Sequence, residues 1–479
     1  MDRDLLSIQE VRDLLRECKI AQSKYATFSQ EEVDRIIYEM VEEIKLHNER
    51  LAKMASEETG FGNWEDKVLK NKFASEYLYE YIKDMKTIGK LKEENKVIEI
   101  GIPMGIIAAL IPSTNPTSTA IYKVLISLKA GNGVVVSPHP NAKQSIIETV
   151  KILKEAAKKA GAPEGLIGVI QNTTMEATTE LMKNRNTSLI LATGGEAMVR
   201  AAYSSGTPAI GVGPGNGPAF IEKTANKALA VKRILDSKTF DNGVICASEQ
   251  SIIVEEESKR EVIEELKKQG AYFLDKDESK KLGEFILRSN GTMNPQIVGK
   301  TALKLAQLSG INVPCNTRVL VSEETEVSKN NPYAREKLAP ILAFYTEENW
   351  EKACERSIEI LNVEGKGHTM VIHSENRDVI MAFALKKPVS RLLVNTPGAL
   401  GGIGGTTNLA PALTLGCGAV GGSSTSDNIT PLNLINIRRV AWGVSELEDL
   451  KGVSNSKCTC EDEKLEELVK KVIADILNR

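Results

Sequence analysis

"VIEIGIPMGIIAALIPSTNP" (residues 97–116) reads as strands rich in Ile and Val, ended by proline and asparagine. Beyond Pro116 strands and helices alternate with a fixed rhythm. Ile121–Ala130 has a helical pattern, "GVVVSP" (133–138) is a continuous apolar strand, and Lys143–Ala160 is an amphipathic helix. "LIGVIQ" (166–171), Thr174–Lys183, "SLILAT" (188–193) and Glu196–Ser204 continue the alternation. Strands apolar along their whole length, separated by helices, predict a parallel sheet covered on both faces. Ligands in such sheets sit at the C-terminal strand ends, where turns meet helix N-termini.

Outward from this block, residues 1–95 read as helical, with apolar positions at Leu5, Ile8, Val11, Leu14 and Leu15 and again from Val33 to Ile44. A second α/β block spans about 240–425, with helices at Lys259–Gln269, Glu278–Ser289 and Asn349–Ile360. "NLINIRRVAWG" (433–443) is strand-like, 451–463 is polar enough to be a linker, and no internal repeat stands out.

The 479 residues suffice for two or three domains, and the net charge of −3, with both signs mixed, argues against a nucleic-acid partner. No apolar run reaches 18 residues, so no membrane-spanning helix is expected. The charged N-terminal residues 1–17 lack the apolar core of a signal peptide, which predicts a cytoplasmic protein with free thiols. The seven cysteines are scattered and build no metal site. Cys458 and Cys460 read as two exposed thiols.

Five stretches can carry chemistry, and each has a plain structural alternative. In "KTFDNGVICASEQ" (238–250), Cys246 follows an Asn-Gly turn and precedes small residues. The local sequence suits a core thiol and a nucleophile equally. In "IPSTNPTSTAIYK" (111–123), Asn115 is either a helix-capping loop residue or an amide donor for an oxyanion. "ATGGEAMVRAAY" (192–203) places Thr-Gly-Gly between a strand and a helix, as an ordinary turn or as a dinucleotide cradle. In "EGKGHTMVIHS" (364–374), His373 alternates with apolar residues and reads as a strand residue, whereas His368 reads as a loop histidine suited to acid–base work. His47 lies in a charged helix. "TLGCGAVGGSSTSDN" (414–428) is a surface loop, a linker or a ligand-wrapping loop.

Together these pieces resemble the aldehyde dehydrogenase superfamily, and within it the coenzyme-A-acylating branch. The resemblance covers about residues 5–445 and rests on "PSTNPTSTA", "SPHP", "ILATGG", "AAYSSGTPAIGVGPGN", "KTFDNGVICASEQ", "EKLAPIL", "GHT" and "TLGCG" followed by "NLINIRR". It implies an α/β aldehyde dehydrogenase fold: a Rossmann-like cofactor domain, an α/β catalytic domain and a small oligomerisation segment. It implies that Cys246 is the nucleophile, that Asn115 holds the oxyanion with the Cys246 N–H, and that His368 is a histidine typical of the acylating branch. Thr193, Gly194 and Gly195 would lie over the cofactor phosphates and nicotinamide. Ser137, Pro138 and His139 would meet the adenosine end, and Glu336 would hold the nicotinamide ribose. The implied cofactor is NAD, with NADP as the alternative, and coenzyme A is the co-substrate. Hydrolytic relatives carry a water-activating glutamate where this chain has "GVGPGN" (211–216), so the acyl group is expected to leave on a thiol instead.

The expected organisation is a cofactor-binding domain over 1–239, with strands near 97–110 contributing to oligomerisation, and a catalytic domain over 240–425. A return and oligomerisation segment over 426–450, the linker over 451–463 and an amphipathic helix over 464–479 complete the chain. That last helix has apolar residues at 465, 468, 469, 472, 473, 476 and 477. It resembles the encapsulation peptides of bacterial microcompartment enzymes, implying a shell-protein partner and a place in the compartment lumen; docking on its own domain or a sister subunit is the alternative. The resemblance also implies a homodimer or homotetramer. Short-chain aldehydes are the expected substrates. Sulfoacetaldehyde or succinate semialdehyde, a hydrolytic reaction, and a non-catalytic shell-associated role are the other readings.

Overall fold

The computed structural model describes residues 2–450, 464–471 and 474. In chain order the strands are β1 (Gly89–Glu94), β2 (Val97–Pro103), β3 (Ile106–Ile111), β4 (Gly133–Pro138), β5 (Ile167–Val169), β6 (Thr187–Thr193), β7 (Ala209–Val212) and β8 (Gly217–Ile221). They continue as β9 (Glu249–Glu255), β10 (Ala271–Phe273), β11 (Val319–Glu323), β12 (Ile341–Glu347), β13 (Gly367–His373), β14 (Val389–Val394) and β15 (Ile435–Ala441).

The larger of two compact units comprises residues 1–89 and 102–436 and contains two parallel sheets. The first has the order β5-β4-β3-β6-β7. From β3 the chain steps outward to β4 and β5, then returns to β6 on the other side of β3. The C-terminal ends of β3 and β6 therefore flank the point where strand order reverses, the place where such sheets hold ligands. Every residue of β3 and β4 is buried, as expected for strands covered on both faces.

The second sheet has the order β10-β11-β12-β9-β8-β13-β14, also wholly parallel. Side chains alternate between its faces with the strand period of two. Phe220, Ile253, Tyr345 and Ile372 pack with Ile286, Ile360 and Phe383 on one side. Ala219, Ile252, Val254 and Phe344 pack with Val231, Leu235 and Val262 on the other. Phe220 and Phe383 stack with centroids 5.0 Å apart, a pairing that contributes about 1 kcal/mol beyond its buried area.

The run "GVGPGNGP" (211–218), dense in Gly and Pro, has the sequence of one tight loop, yet only the residues between β7 and β8 are loop. Because β8 pairs with β9 and β13, the second sheet begins before the 239/240 boundary drawn from sequence. The apolar "PAFI" after the glycines buries itself between two strands.

The smaller unit comprises residues 90–101 and the described residues from 437 on, and a three-stranded sheet of order β1-β2-β15 lies chiefly in it. The helical reading of 1–95 fails at its end. Gly89–Glu94 carries a single apolar side chain and is an outlying strand, followed by a tight turn with Asn95 and Lys96 at φ 51° and 58°. Residues 464–471 are helical, and Leu465, Leu468 and Val469 are exposed. The expected linker 451–463, Cys458, Cys460, and positions 472, 473, 476 and 477 of the apolar stripe lie outside the described residues.

Candidate active site

Cys246 lies between the short helical turn Phe240–Gly243 and strand β9, and it is half-buried. Asp241, Asn242 and Gly243 all take left-handed backbone angles, φ 47°, 52° and 77°. Two consecutive non-glycine residues there are strained, and their side chains hold the strain in place. Asp241 Oδ1 accepts from the Asn63 N–H at 2.8 Å, and its Oδ2 accepts from Lys67 Nζ at 2.9 Å and from Lys70 Nζ. Asn242 Nδ2 donates to the Gly299 carbonyl at 2.9 Å. Downstream, Gln250 Oε1 accepts from Lys238 Nζ and from the Lys337 N–H, each at 2.9 Å. This ties β9 to the segment that carries Glu336.

Loops pack against this turn backbone to backbone. A Cβ on Gly215 would come 2.0 Å from the Cys246 carbonyl oxygen and 3.4 Å from His368 Cε1. A Cβ on Gly367, at φ 82°, would meet the Cys417 carbonyl oxygen at 2.0 Å. Gly215 and Gly367 thus let the loops that carry them pack closely against the Cys246 turn and the Cys417 loop.

Asn115 follows β3 at the start of helix Pro116–Lys129, but its side chain does not cap that helix. Its Nδ2 donates to the Val244 carbonyl at 3.3 Å, which turns the amide toward the Cys246 turn, and its Oδ1 accepts from Lys70 Nζ at 2.5 Å. Asn115 is thus brought against Val244, two residues before Cys246.

His368 was expected in a loop; it lies near the start of strand β13 and is fully buried. Its Nδ1 is 3.0 Å from Thr369 Oγ1, and its Nε2 has no partner among the described residues. Burial, and then the nearby Arg391 charge, push its pKa down to about 3, so the ring is neutral. His373 ends the same strand, as expected of a strand residue, and is also buried. His47 is half-buried against Glu43 at 3.3 Å.

Glu336 Oε1 accepts from the Gly215 N–H at 2.7 Å. Burial, and then Glu364, raise its pKa to about 8. The thiol of Cys246 is pushed up to about 12, first by burial and then by Glu336 and Cys417, with Arg391 pulling the other way.

The remaining expected residues gather at the strand ends of the first sheet. Thr193 ends β6, and its buried Oγ1 has no partner among the described residues. Gly195 opens helix Glu196–Tyr203 with nothing within 4 Å of its would-be Cβ. An open groove of about 610 Å³ runs along Glu196, Ala197 and Arg200. Ser137 Oγ is 3.0 Å from Thr178 Oγ1, Pro138 ends β4 beside Ile111, and exposed His139 accepts from the Asn141 N–H at 3.1 Å through Nδ1.

Three features escaped sequence reasoning. The buried pair Lys67 and Lys70 faces Asp241; their spacing of three on one helix was the available signal. Lys123, buried inside an apolar helix, donates to the carbonyls of Leu110 and Leu191, both at 2.8 Å, and so bridges the ends of β3 and β6; a lysine amid "AIYKVLIS" was its signal. Arg391 is 4% exposed, and all its acceptors (Thr369, Ser426, Asn428, His368 and Gly416) are neutral oxygens. Among the described residues it forms no salt bridge, so it brings a cation held by neutral oxygens to the loops around Cys246, and nothing local in "PVSRLLV" announces that.

Alongside the two parallel sheets and the loops that meet near Cys246, residues 5–295 match the Aldehyde dehydrogenase family. The chain belongs to that family. It is 46% identical over 442 residues to the bifunctional aldehyde-alcohol dehydrogenase AdhE of Escherichia coli K12, covering 91% of this chain and 50% of that protein. This chain thus spans about half the length of the curated relatives it matches first. Its fold is similar to the crystal structure of a probable aldehyde dehydrogenase from Listeria monocytogenes EGD-e, with a TM-score of 0.93, 64% identity, and coverage of 94% of this chain and 100% of that one. It is similar also to an acetylating aldehyde dehydrogenase from Geobacillus thermoglucosidasius, with a TM-score of 0.92, 52% identity and coverage of 93% and 99%.

Proposed function

We propose that this protein oxidises a short-chain aldehyde with NAD⁺ and passes the acyl group from Cys246 to coenzyme A, reversibly. The observation that carries this reading is the loop 213–216. It lies on the Cys246 backbone at Gly215 and has no carboxylate of its own. The one carboxyl bound to it, Glu336, is protonated below about pH 8. Water then has no base at the acyl group, and a thiol can take it.

Each step has a residue. Cys246 Sγ adds to the aldehyde carbon and its proton is released to solvent, with Asn115 Nδ2 and the Cys246 N–H holding the oxyanion. The Thr193–Gly195 turn fits a nicotinamide cofactor: Thr193 Oγ1 is buried with no partner among the described residues, and Gly195 leaves open space at a helix N-terminus. The bound cofactor would accept the hydride. Ser137, Pro138 and His139 would meet the adenosine end of the cofactor, and Glu336 would hold its ribose. The CoA thiol then attacks the thioester carbon, and its proton passes to the departing Cys246 sulfur, with the neutral ring of His368, whose Nε2 has no partner among the described residues, as the group that relays it.

Acetaldehyde oxidation followed by NADH absorbance tests this reading. Steady turnover is expected only with CoA, and its omission should slow the rate by about 10²–10⁴-fold, the usual worth of a general base. Equal turnover without CoA would refute it. A pH dependence is expected as well. Above about pH 8 Glu336 becomes a carboxylate, so without CoA the release of free acid should rise there more steeply in the wild type than in Glu336→Gln. Identical profiles would remove Glu336 from the argument.

NAD over NADP, acetaldehyde or propionaldehyde over sulfoacetaldehyde or succinate semialdehyde, and a dimer or tetramer belong to the same proposal. So does a microcompartment shell protein as partner of 464–479, supported by the exposure of Leu465, Leu468 and Val469. A non-catalytic role fits less well with three converging loops built around one thiol.

A further inference from the structure

Asn115 does not spend its side-chain carbonyl on the helix it precedes, which is the ordinary use of an asparagine there. Lys70 Nζ takes that carbonyl at 2.5 Å. Lys70 is 2% exposed and also donates to Asp241, which is fully buried and shared with Lys67. Lys70 thus turns its ammonium toward the amide, with Lys67 beside it on the same carboxylate. Asp66, half-buried at the edge of the cluster, accepts from the Asp241 N–H at 2.6 Å.

We propose that Lys70 is a positioning residue for the oxyanion amide: it fixes which end of Asn115 faces the Cys246 turn and strengthens Nδ2 as a donor. A lysine ammonium has donors only, so the amide must present Oδ1 to it and turn Nδ2 away. A cation on Oδ1 draws electron density from the amide nitrogen, and its N–H bonds become better donors to developing negative charge. Burial lowers the Lys70 pKa to about 8, with Asp241 opposing that shift and Lys67 adding to it. The ammonium is kept in a dry place by Asp241, the same carboxylate that holds the turn leading to Cys246. One cluster thereby sets both the nucleophile's loop and the amide opposite it.

This inference rests on the assignment of Asn115 and Cys246 above, and a double-mutant cycle separates the two. The kcat and KM for aldehyde and CoA are measured for wild type, Lys70→Met, Asn115→Ala and the double variant, with thermal melts on each. Lys70→Met is expected to lower kcat by about 10–100-fold with little change in KM, a part of the loss that deleting a whole oxyanion donor causes. In the Asn115→Ala background the same change should cost less than about 3-fold, because the group it acts through is gone. Lys70→Arg, which keeps a cation with donors only, should recover part of the loss, and Lys70→Gln, which removes the charge, replaces Lys70→Met in the cycle if that variant does not fold. Equal losses in both backgrounds would overturn the role of Lys70 while leaving Asn115 in place. An Asn115→Ala enzyme with wild-type kcat would overturn both.

Discussion

Cys246→Ser is expected to abolish NADH formation from every aldehyde and acyl-CoA reduction in the reverse direction, by on the order of 10⁴-fold or more. The exchange alters a single atom, and Cys246 belongs to none of the hydrophobic clusters of the two sheets. The melting temperature should therefore stay close to wild type. The chemistry should not survive. A thiol already pushed up to about 12 by its surroundings still reaches its anion as the bond to carbon forms, with Arg391 pulling in that direction. A hydroxyl in the same place is a far weaker acid, and its acyl ester would not exchange with CoA as a thioester does. Substantial turnover by the serine variant would remove Cys246 as nucleophile.

The second large effect is at Asn115. Asn115→Ala is expected to lower kcat by about 10²–10³-fold, the typical worth of one oxyanion donor. Asn115→Asp should be at least as damaging although it keeps the shape. It pairs well with Lys70 but turns an acceptor toward the oxyanion where a donor stood. If the aspartate variant retained activity, the amide would be a spacer and not a donor. Stopped-flow measurement of the first hydride transfer reads this directly.

The parallel sheets were legible because strands buried on both faces leave unbroken runs such as "IIAALI" and "GVVVSP". The site was legible where chemistry demands unusual composition, as in the glycines around Cys246. The features that escaped were set by contacts between distant segments. Lys70 and Asp241 lie 171 residues apart, and each looks like an ordinary surface charge in its own stretch. Strand β8 hid behind glycines that belong to the loop before it. His368 read as a loop residue because Gly367 precedes it, but that glycine serves a close approach to Cys417 and the strand begins there.

In the proposed mechanism the acyl group rests on Cys246 and leaves on CoA. Incubation with acetyl-CoA, then digestion and mass spectrometry of the cysteine peptides, tests this. One acetyl group is expected on the peptide carrying Cys246, stable in buffer at pH 7 and removed when free CoA is added. An acetyl group on another cysteine, or one on Cys246 that water removes as fast as CoA does, would contradict it.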